Sequence, residues 1–270
     1  MQALTNVRSF IIDMDGVLWH GDRPLPGLVE FFQTLRDLRF PFVLATNNAS
    51  QTADQYVAKL ARMGVAVKRE EVLTSAMATA LYLAQRTDPR QTRVFVIGEE
   101  GLRKPLLDLG FTLTGPYEGG DSRADYVVCG LDRGITWDKL ASATLNISAG
   151  AKFIGTNPDT TLPTERGVTQ GNGAILAAIE AATQVKPVII GKPEPIMYQQ
   201  AMALLGVEAS ETVAIGDRLG TDILGAVRAG IRSLMVLTGI STEEELKTLD
   251  YAPDWVMADI REVAQALRKA

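Results

Sequence analysis

Short apolar runs alternate with longer stretches of helical period along this chain, and that alternation limits the folds open to it. Ser9-Phe-Ile-Ile12 is apolar and rich in β-formers. Pro26 to Arg39 follows, with Leu28, Phe31, Phe32, Leu35 and Leu38 at helical spacing. Phe42-Val-Leu-Ala45 is a second apolar run, and a helical pattern from Ala53 to Met63 stops at Gly64, a C-terminal cap. The rhythm returns with Val188-Ile-Ile190, Thr212-Val-Ala-Ile215 and Ser233-Leu-Met-Val-Leu237, separated by helical patterns at Pro195 to Leu205 and Thr221 to Ala229. Trp255-Val256 and a helix over Ile260 to Lys269 close the series. This order predicts an α/β fold, a parallel sheet covered by helices on both faces. The middle alternates too: Val94-Phe-Val-Ile97, Tyr126-Val-Val-Cys129 and Phe153-Ile154 read as strands, and Gly101 to Leu109, Trp137 to Ala149 and Asn172 to Thr183 as helices. No Ser/Gly/Pro linker decides whether Ala80 to Val185 extends one sheet or forms an inserted domain.

Four of the apolar runs end in residues suited to phosphate chemistry. Ile11-Ile12 leads into Asp13-Met-Asp15-Gly16, Leu44-Ala45 into Thr46-Asn47-Asn48, Ile189-Ile190 into Gly191-Lys192-Pro193, and Ala214-Ile215 into Gly216-Asp217-Arg218. In open parallel sheets, ligands bind in the crevice beyond the carboxyl ends of the strands. Parallel strands would therefore gather Asp13, Asp15, Asp217 and Asp222 around one lysine. A like-charge pair ~4 Å apart costs about 4 kcal/mol at an effective dielectric of 20, so either some acids stay protonated or a cation neutralises them. A small set of hard oxygen ligands suits Mg²⁺ better than a transition metal.

The same residues support a two-step reaction. An aspartate can attack phosphorus to form an aspartyl-phosphate, and an acid two positions later can protonate the leaving oxygen and then deprotonate water. Thr46 offers a hydroxyl, the amides around Asn47 offer donors, and Lys192 offers positive charge. Each has a plainer reading: Thr46 as a helix cap, Lys192 as a solvated lysine, Asp217 and Asp222 as caps of the helix at Thr221.

Composition narrows the field. The 270 residues are 46% hydrophobic and 22% charged, an ordinary globular balance. Apolar stretches fall short of a membrane span, and Met1 to Ile12 lacks the apolar core of a signal peptide. With one cysteine, Cys129, and one histidine, His20, clustered Cys/His zinc sites and internal disulfides are out of reach, which fits a cytoplasmic protein. A net charge of −5 gives no general attraction to nucleic acid polymers. Cys129 reads as core and His20 as structural or solvated. Gly171-Asn172-Gly173 reads as a helix start and Glu243-Glu244-Glu245 as a solvated first helical turn. The loop from Thr156 to Arg166 is either a surface turn or a lid over the leaving group, with Asn157 and Arg166 its candidate contacts.

Taken together, Asp13-Met14-Asp15-Gly16-Val17-Leu18, Thr46, Lys192 in Gly-Lys-Pro, and Gly216-Asp217-Arg-Leu-Gly-Thr-Asp222 resemble, in order, the four motifs of the haloacid dehalogenase superfamily. Thr46-Asn47-Asn48, Thr74-Ser75-Ala76, Gly155-Thr156-Asn157-Pro158-Asp159 and Gly191-Lys192-Pro193 resemble its NagD-like or para-nitrophenylphosphatase-like subfamily. The resemblance implies a Rossmann-like parallel-sheet core over residues 1–79 and 186–270, with a smaller α/β cap inserted at 80–185. It implies Asp13 as nucleophile and Asp15 as general acid/base. Thr46 and Lys192 would hold the phosphoryl group, Asn47 and Asn48 are further substrate-binding candidates, and Asp13, Asp15 (through its carbonyl) and Asp217 would bind Mg²⁺. Asp222 is the fourth candidate metal residue, binding the ion directly or, as the resemblance favours, orienting metal-bound water or Lys192. The expected activity is Mg²⁺-dependent hydrolysis of small organic phosphate monoesters: nucleoside monophosphates, sugar phosphates or phosphoglycolate-type metabolites. A phosphotransferase or mutase using the same chemistry, and a phosphoacceptor signalling module, are the alternatives. The partner is a small phosphorylated metabolite, with neither nucleic acid nor membrane, and a homodimer is left open.

Overall fold

Ser9–Ile12 is the strand around which the first sheet is organised, and all four of its residues are buried. The six strands run in the order Trp255–Met257, Arg232–Val236, Thr212–Gly216, Ser9–Ile12, Phe42–Thr46, Val72–Thr74. The pairings among the first five are all parallel, as continuous apolar strands require. The computed structural model describes residue 4 and residues 6–164 and 166–269. Met1 to Ala3 and Thr5 of the amino-terminal stretch, Glu165 of the 156–166 loop, and Ala270 lie outside the described residues.

The chain divides into two compact units. The first comprises the described residues up to Thr46, Ala53–Leu73, and those from Lys192 onward. Its helix Ile260–Lys269 buries Ile260, Val263, Ala264 and Leu267, a stripe at i, i+3, i+4 and i+7, and packs with the helix Leu28–Asp37. The hydroxyls of Ser9 and Thr212, buried between neighbouring strands, bond each other at 3.0 Å.

The second unit comprises Asn47–Thr52 and Thr74–Gly191. Its sheet has five parallel strands, ordered Val188–Ile189, Lys152–Gly155, Tyr126–Cys129, Arg93–Ile97, Thr112–Leu113. Phe95, Val127, Cys129, Phe153, Leu176 and Ile179 form its core. An exposed antiparallel hairpin pairs Thr161–Thr164 with Gly167–Gln170. The chain passes between the units at 46/47, 52/53, 73/74 and 191/192, and the expected insertion at 80–185 lies within the longer segment of the second. Val188–Ile189, grouped above with the carboxyl-terminal strands, pairs instead with Lys152–Gly155. Strand pairing is non-local, and a two-residue apolar strand carries no mark of its partner. Among the described residues, no helix is long and apolar enough to cross a membrane.

A second departure lies after the Thr212–Gly216 strand. The helical pattern read from Thr221 resolves into a π-type turn over Leu219–Ile223 and a helix over Leu224–Ala229. In the widened turn, the Arg218 carbonyl accepts from the amides of both Asp222 (2.9 Å) and Ile223 (3.2 Å). This turn swings Asp222 back toward the strand end. A Cβ at Gly216 would stand 2.1 Å from that of Asp222, so the approach depends on glycine.

Candidate active site

The topology of the first unit places its chemistry. From Ser9–Ile12 the chain moves to Phe42–Thr46 on one side, and it later returns to Thr212–Gly216 on the other. The strand order therefore reverses between Ser9–Ile12 and Thr212–Gly216, and ligands of such sheets bind beyond the carboxyl ends at that point. Asp13 is the first residue past one of these strands, and Asp217 the first past the other.

Asp13, Asp217 and Asp222 each bring a carboxylate oxygen within 4.8 Å of the others. Lys192, 4% exposed at its side chain, donates to Asp13 Oδ1 (2.5 Å), Asp222 Oδ1 (2.6 Å) and the Ala45 carbonyl (3.1 Å). Burial alone would lower the lysine's pKa. The charges of Asp13 and Asp222 more than offset that and hold it well above its ordinary value, so Lys192 stays cationic. Asp13 is pushed well above the carboxylate range, first by burial and then by Asp222 and Asp217, with Lys192 opposing. Burial and the Asp222 charge push Asp217 up to about 6, against a hydrogen bond from the Ile240 amide.

The two acids of the fourth motif differ in what their oxygens do. Asp222 Oδ1 accepts from Lys192 and Oδ2 from the Arg218 amide at 3.1 Å, while Tyr198 donates to its carbonyl at 2.8 Å. Asp217 Oδ2 accepts from the Ile240 amide at 2.9 Å, but its Oδ1 is buried and has no hydrogen-bond partner among the described residues. A buried carboxylate oxygen without a donor is costly, and a hard divalent cation would satisfy it. The donor set fits such an ion: Asp217 Oδ1 with Asp13 beside it, and Asp222 committed to the lysine.

The first motif is a tight turn. The Gly16 amide bonds the Trp19 carbonyl (2.8 Å) and the Leu18 amide the Met14 carbonyl (2.8 Å). Gly16 has φ of 88°, and a Cβ there would meet Asp217 Oδ2 at 2.6 Å. Asp15, exposed, accepts from the indole Nε1 of the fully buried Trp19 at 2.8 Å. Thr46 is buried at the end of its strand. Burial and the charge of Asp15 drive the phenol of Tyr56 upward, with smaller effects of Thr46 and Asp13.

The other predicted residues belong to the second unit. Asn47 Nδ2 donates to Asp159 Oδ2 at 3.2 Å. Asn48 Oδ1 accepts from Ser50 N (2.9 Å) and Ser50 Oγ (2.7 Å), a local turn. Asn157 is buried; its Nδ2 donates to the Asn47 carbonyl at 2.9 Å and its Oδ1 accepts from the Asp159 amide at 3.2 Å. Arg166 is exposed at the hairpin turn.

Sequence reasoning missed a fifth strand end. Past Arg232–Val236, Thr238 Oγ1 donates to the Gly16 carbonyl at 2.6 Å, and Ile240 N–H holds Asp217. A Cβ on Gly239 would lie 1.7 Å from Asp217 Oδ2. The signal was the one used for the other four, a buried strand running into Thr-Gly.

Known proteins place this arrangement. The profile of the Haloacid dehalogenase-like hydrolase family matches residues 10–112, and a second, HAD-hydrolase-like profile matches residues 189–263. The chain belongs to the haloacid dehalogenase-like hydrolases, and within them it is a NagD-like phosphatase. It is 41% identical over 239 residues to the 5'-nucleotidase YutF of Bacillus subtilis, covering 88% of this chain and 90% of that one. It is 38% identical over 266 residues to the acid sugar phosphatase of Staphylococcus epidermidis, covering 98% and 100%. Among solved structures, NagD from Escherichia coli superposes with a TM-score of 0.87 at 36% identity, over 95% of this chain and 98% of that one. The 4-nitrophenylphosphatase of Thermotoga maritima gives 0.90 at 36% identity, over 99% and 100%.

Proposed function

We propose that this phosphatase hydrolyses small organic phosphate monoesters through an aspartyl-phosphate on Asp13, with Mg²⁺ as cofactor. The observation that carries this reading is the convergence of Asp13, Lys192, Asp217 and Asp222, with Asp217 Oδ1 left without a hydrogen-bond partner among the described residues. The first unit is the catalytic core and the second the cap. Asp217, Asp13 and the Asp15 carbonyl would hold the ion, which when bound neutralises charge on the carboxylates and the phosphoryl oxygens.

In the first step a carboxylate oxygen of Asp13 attacks phosphorus. The bond from phosphorus to the alcohol oxygen breaks, and protonated Asp15 gives its proton to that oxygen. In the second step water attacks the same phosphorus, Asp15 takes the water's proton, and the bond to Asp13 breaks, releasing phosphate. Lys192 fixes Asp13 through Oδ1 and counters phosphoryl charge, and Asp222 orients Lys192. Thr46 and the backbone amide of Asn47 contact the phosphoryl oxygens. The side chains of Asn48 and Asn157 are engaged within the second unit, and Arg166 is its candidate for selecting the alcohol. The names of the relatives point to nucleotides, sugar phosphates and nitrophenyl phosphate as the substrate range.

A panel of alkyl, sugar, nucleoside and aryl monoesters, assayed for phosphate release with Mg²⁺ and with EDTA, tests the reading. Hydrolysis that stops with EDTA and returns with Mg²⁺ is expected. Undiminished turnover in chelated buffer would contradict it.

A further inference from the structure

We propose that Trp19 is a positioning residue for the general acid: its indole N–H holds the Asp15 carboxyl where it can reach the leaving oxygen. The inference rests on the reading of Asp15 as the proton donor. The indole has one donor, and a buried one must find a partner. That partner is Asp15 Oδ1 at 2.8 Å, four residues back across the Gly16 turn. Trp19 itself has no exposed surface, so it is a fixed anchor for an acid that is exposed. Two neighbours hold the ring. Tyr56 stacks on it with centroids 6.4 Å apart and planes 19° apart, and Lys59 Nζ lies 4.4 Å above its face. A cation on the face draws electron density from the ring and strengthens the N–H as a donor. Only Oδ1 is engaged by the indole, which leaves Oδ2 as the oxygen to carry the proton.

A bond that only stabilised the fold would affect all substrates alike. A positioning bond affects those that need an acid. Departure of an alkoxide requires a proton, whereas p-nitrophenolate leaves without one. The quantity to compare is kcat/KM, which covers the steps through alcohol release and excludes the second half of the cycle. In Trp19→Phe, kcat/KM for glycerol 3-phosphate should fall about 10- to 100-fold, within the range of a general acid's contribution. With p-nitrophenyl phosphate it should fall less than about 3-fold. Lys59→Met should give the same pattern at roughly 2- to 5-fold. Asp15→Asn keeps an oxygen for the indole but has no proton to give. It should show the widest split between substrates, with thermal unfolding close to wild type. Equal losses on both substrates in Trp19→Phe, or none on either, would overturn the role of Trp19. No split in Asp15→Asn would instead overturn the assignment of the acid itself. Should Trp19→Phe unfold early, Lys59→Met still decides the matter, because it leaves the indole in place.

Discussion

Both units of this protein are built on parallel sheets with polar residues beyond the strand ends, yet the two ends hold different kinds of group. In the second unit the amides are spent on the backbone and the acids are paired, Glu99 with Arg133 at 2.7 Å and Asp132 with Lys139 at 2.7 Å. Asn157 ties the carbonyl of Asn47 to the amide of Asp159, and Asn172 donates to the carbonyls of Asn157 (2.8 Å) and Cys129 (3.2 Å). In the first unit they are charges in excess. Three carboxylates face one ammonium, and Asp217 Oδ1 has no donor among the described residues. Topology offers a crevice in either case. Buried charge that the protein does not neutralise by itself separates a place for chemistry from a place for structure.

The largest effect expected from this contrast is in Asp13→Asn, whose amide cannot attack phosphorus. Turnover should fall by at least about 10³-fold in a protein whose circular dichroism and melting are retained. Activity within tenfold of wild type in a clean preparation would remove Asp13 from the role.

Asp217 sharpens the comparison through pH. Its carboxyl sits at about 6 in the fold against an ordinary 3.8, so the folded state holds this proton more tightly than the unfolded state. Stability from this group is intact below about pH 4 and declines as pH rises from about 4 to about 6. In chelator, wild type should therefore lose thermal stability across that window relative to Asp217→Asn. Added Mg²⁺ should reverse the gap at about pH 7.5, because only the carboxylate binds it well. A difference curve that is flat with pH, or unmoved by Mg²⁺, would count against a cation site there.

The smallest catalytic effect belongs to the second unit. Asn157→Ala removes a buried amide that spans two backbone groups and should cost about 1–3 kcal/mol of stability. Relative rates across substrates should stay within about 3-fold. A large, substrate-dependent loss of rate with unchanged melting would instead identify Asn157 as a substrate ligand.

Much of this was legible in the chain because strand ends are a local signal. Asp13, Thr46, Lys192 and Asp217 each follow an apolar run, and buried parallel strands are what such runs become. Three things were hidden. The partner of Val188–Ile189 depends on a pairing across more than thirty positions of sequence. The π-type turn at Leu219–Ile223 mimics an ordinary helix start, since one extra residue barely disturbs the apolar period. The support of Asp217 by Ile240, of Gly16 by Thr238 and of Asp15 by Trp19 consists of single hydrogen bonds, which leave no periodic trace.

Trapping the phosphoenzyme tests the central claim most directly. Asp15→Asn, mixed with p-nitrophenyl phosphate and Mg²⁺, can expel the activated leaving group but lacks the base for the second step. The covalent intermediate should therefore accumulate. Rapid quenching, borohydride reduction and peptide mass mapping should then find homoserine at position 13 alone. An unmodified Asp13 while p-nitrophenolate is released, or modification at another residue, would contradict the account.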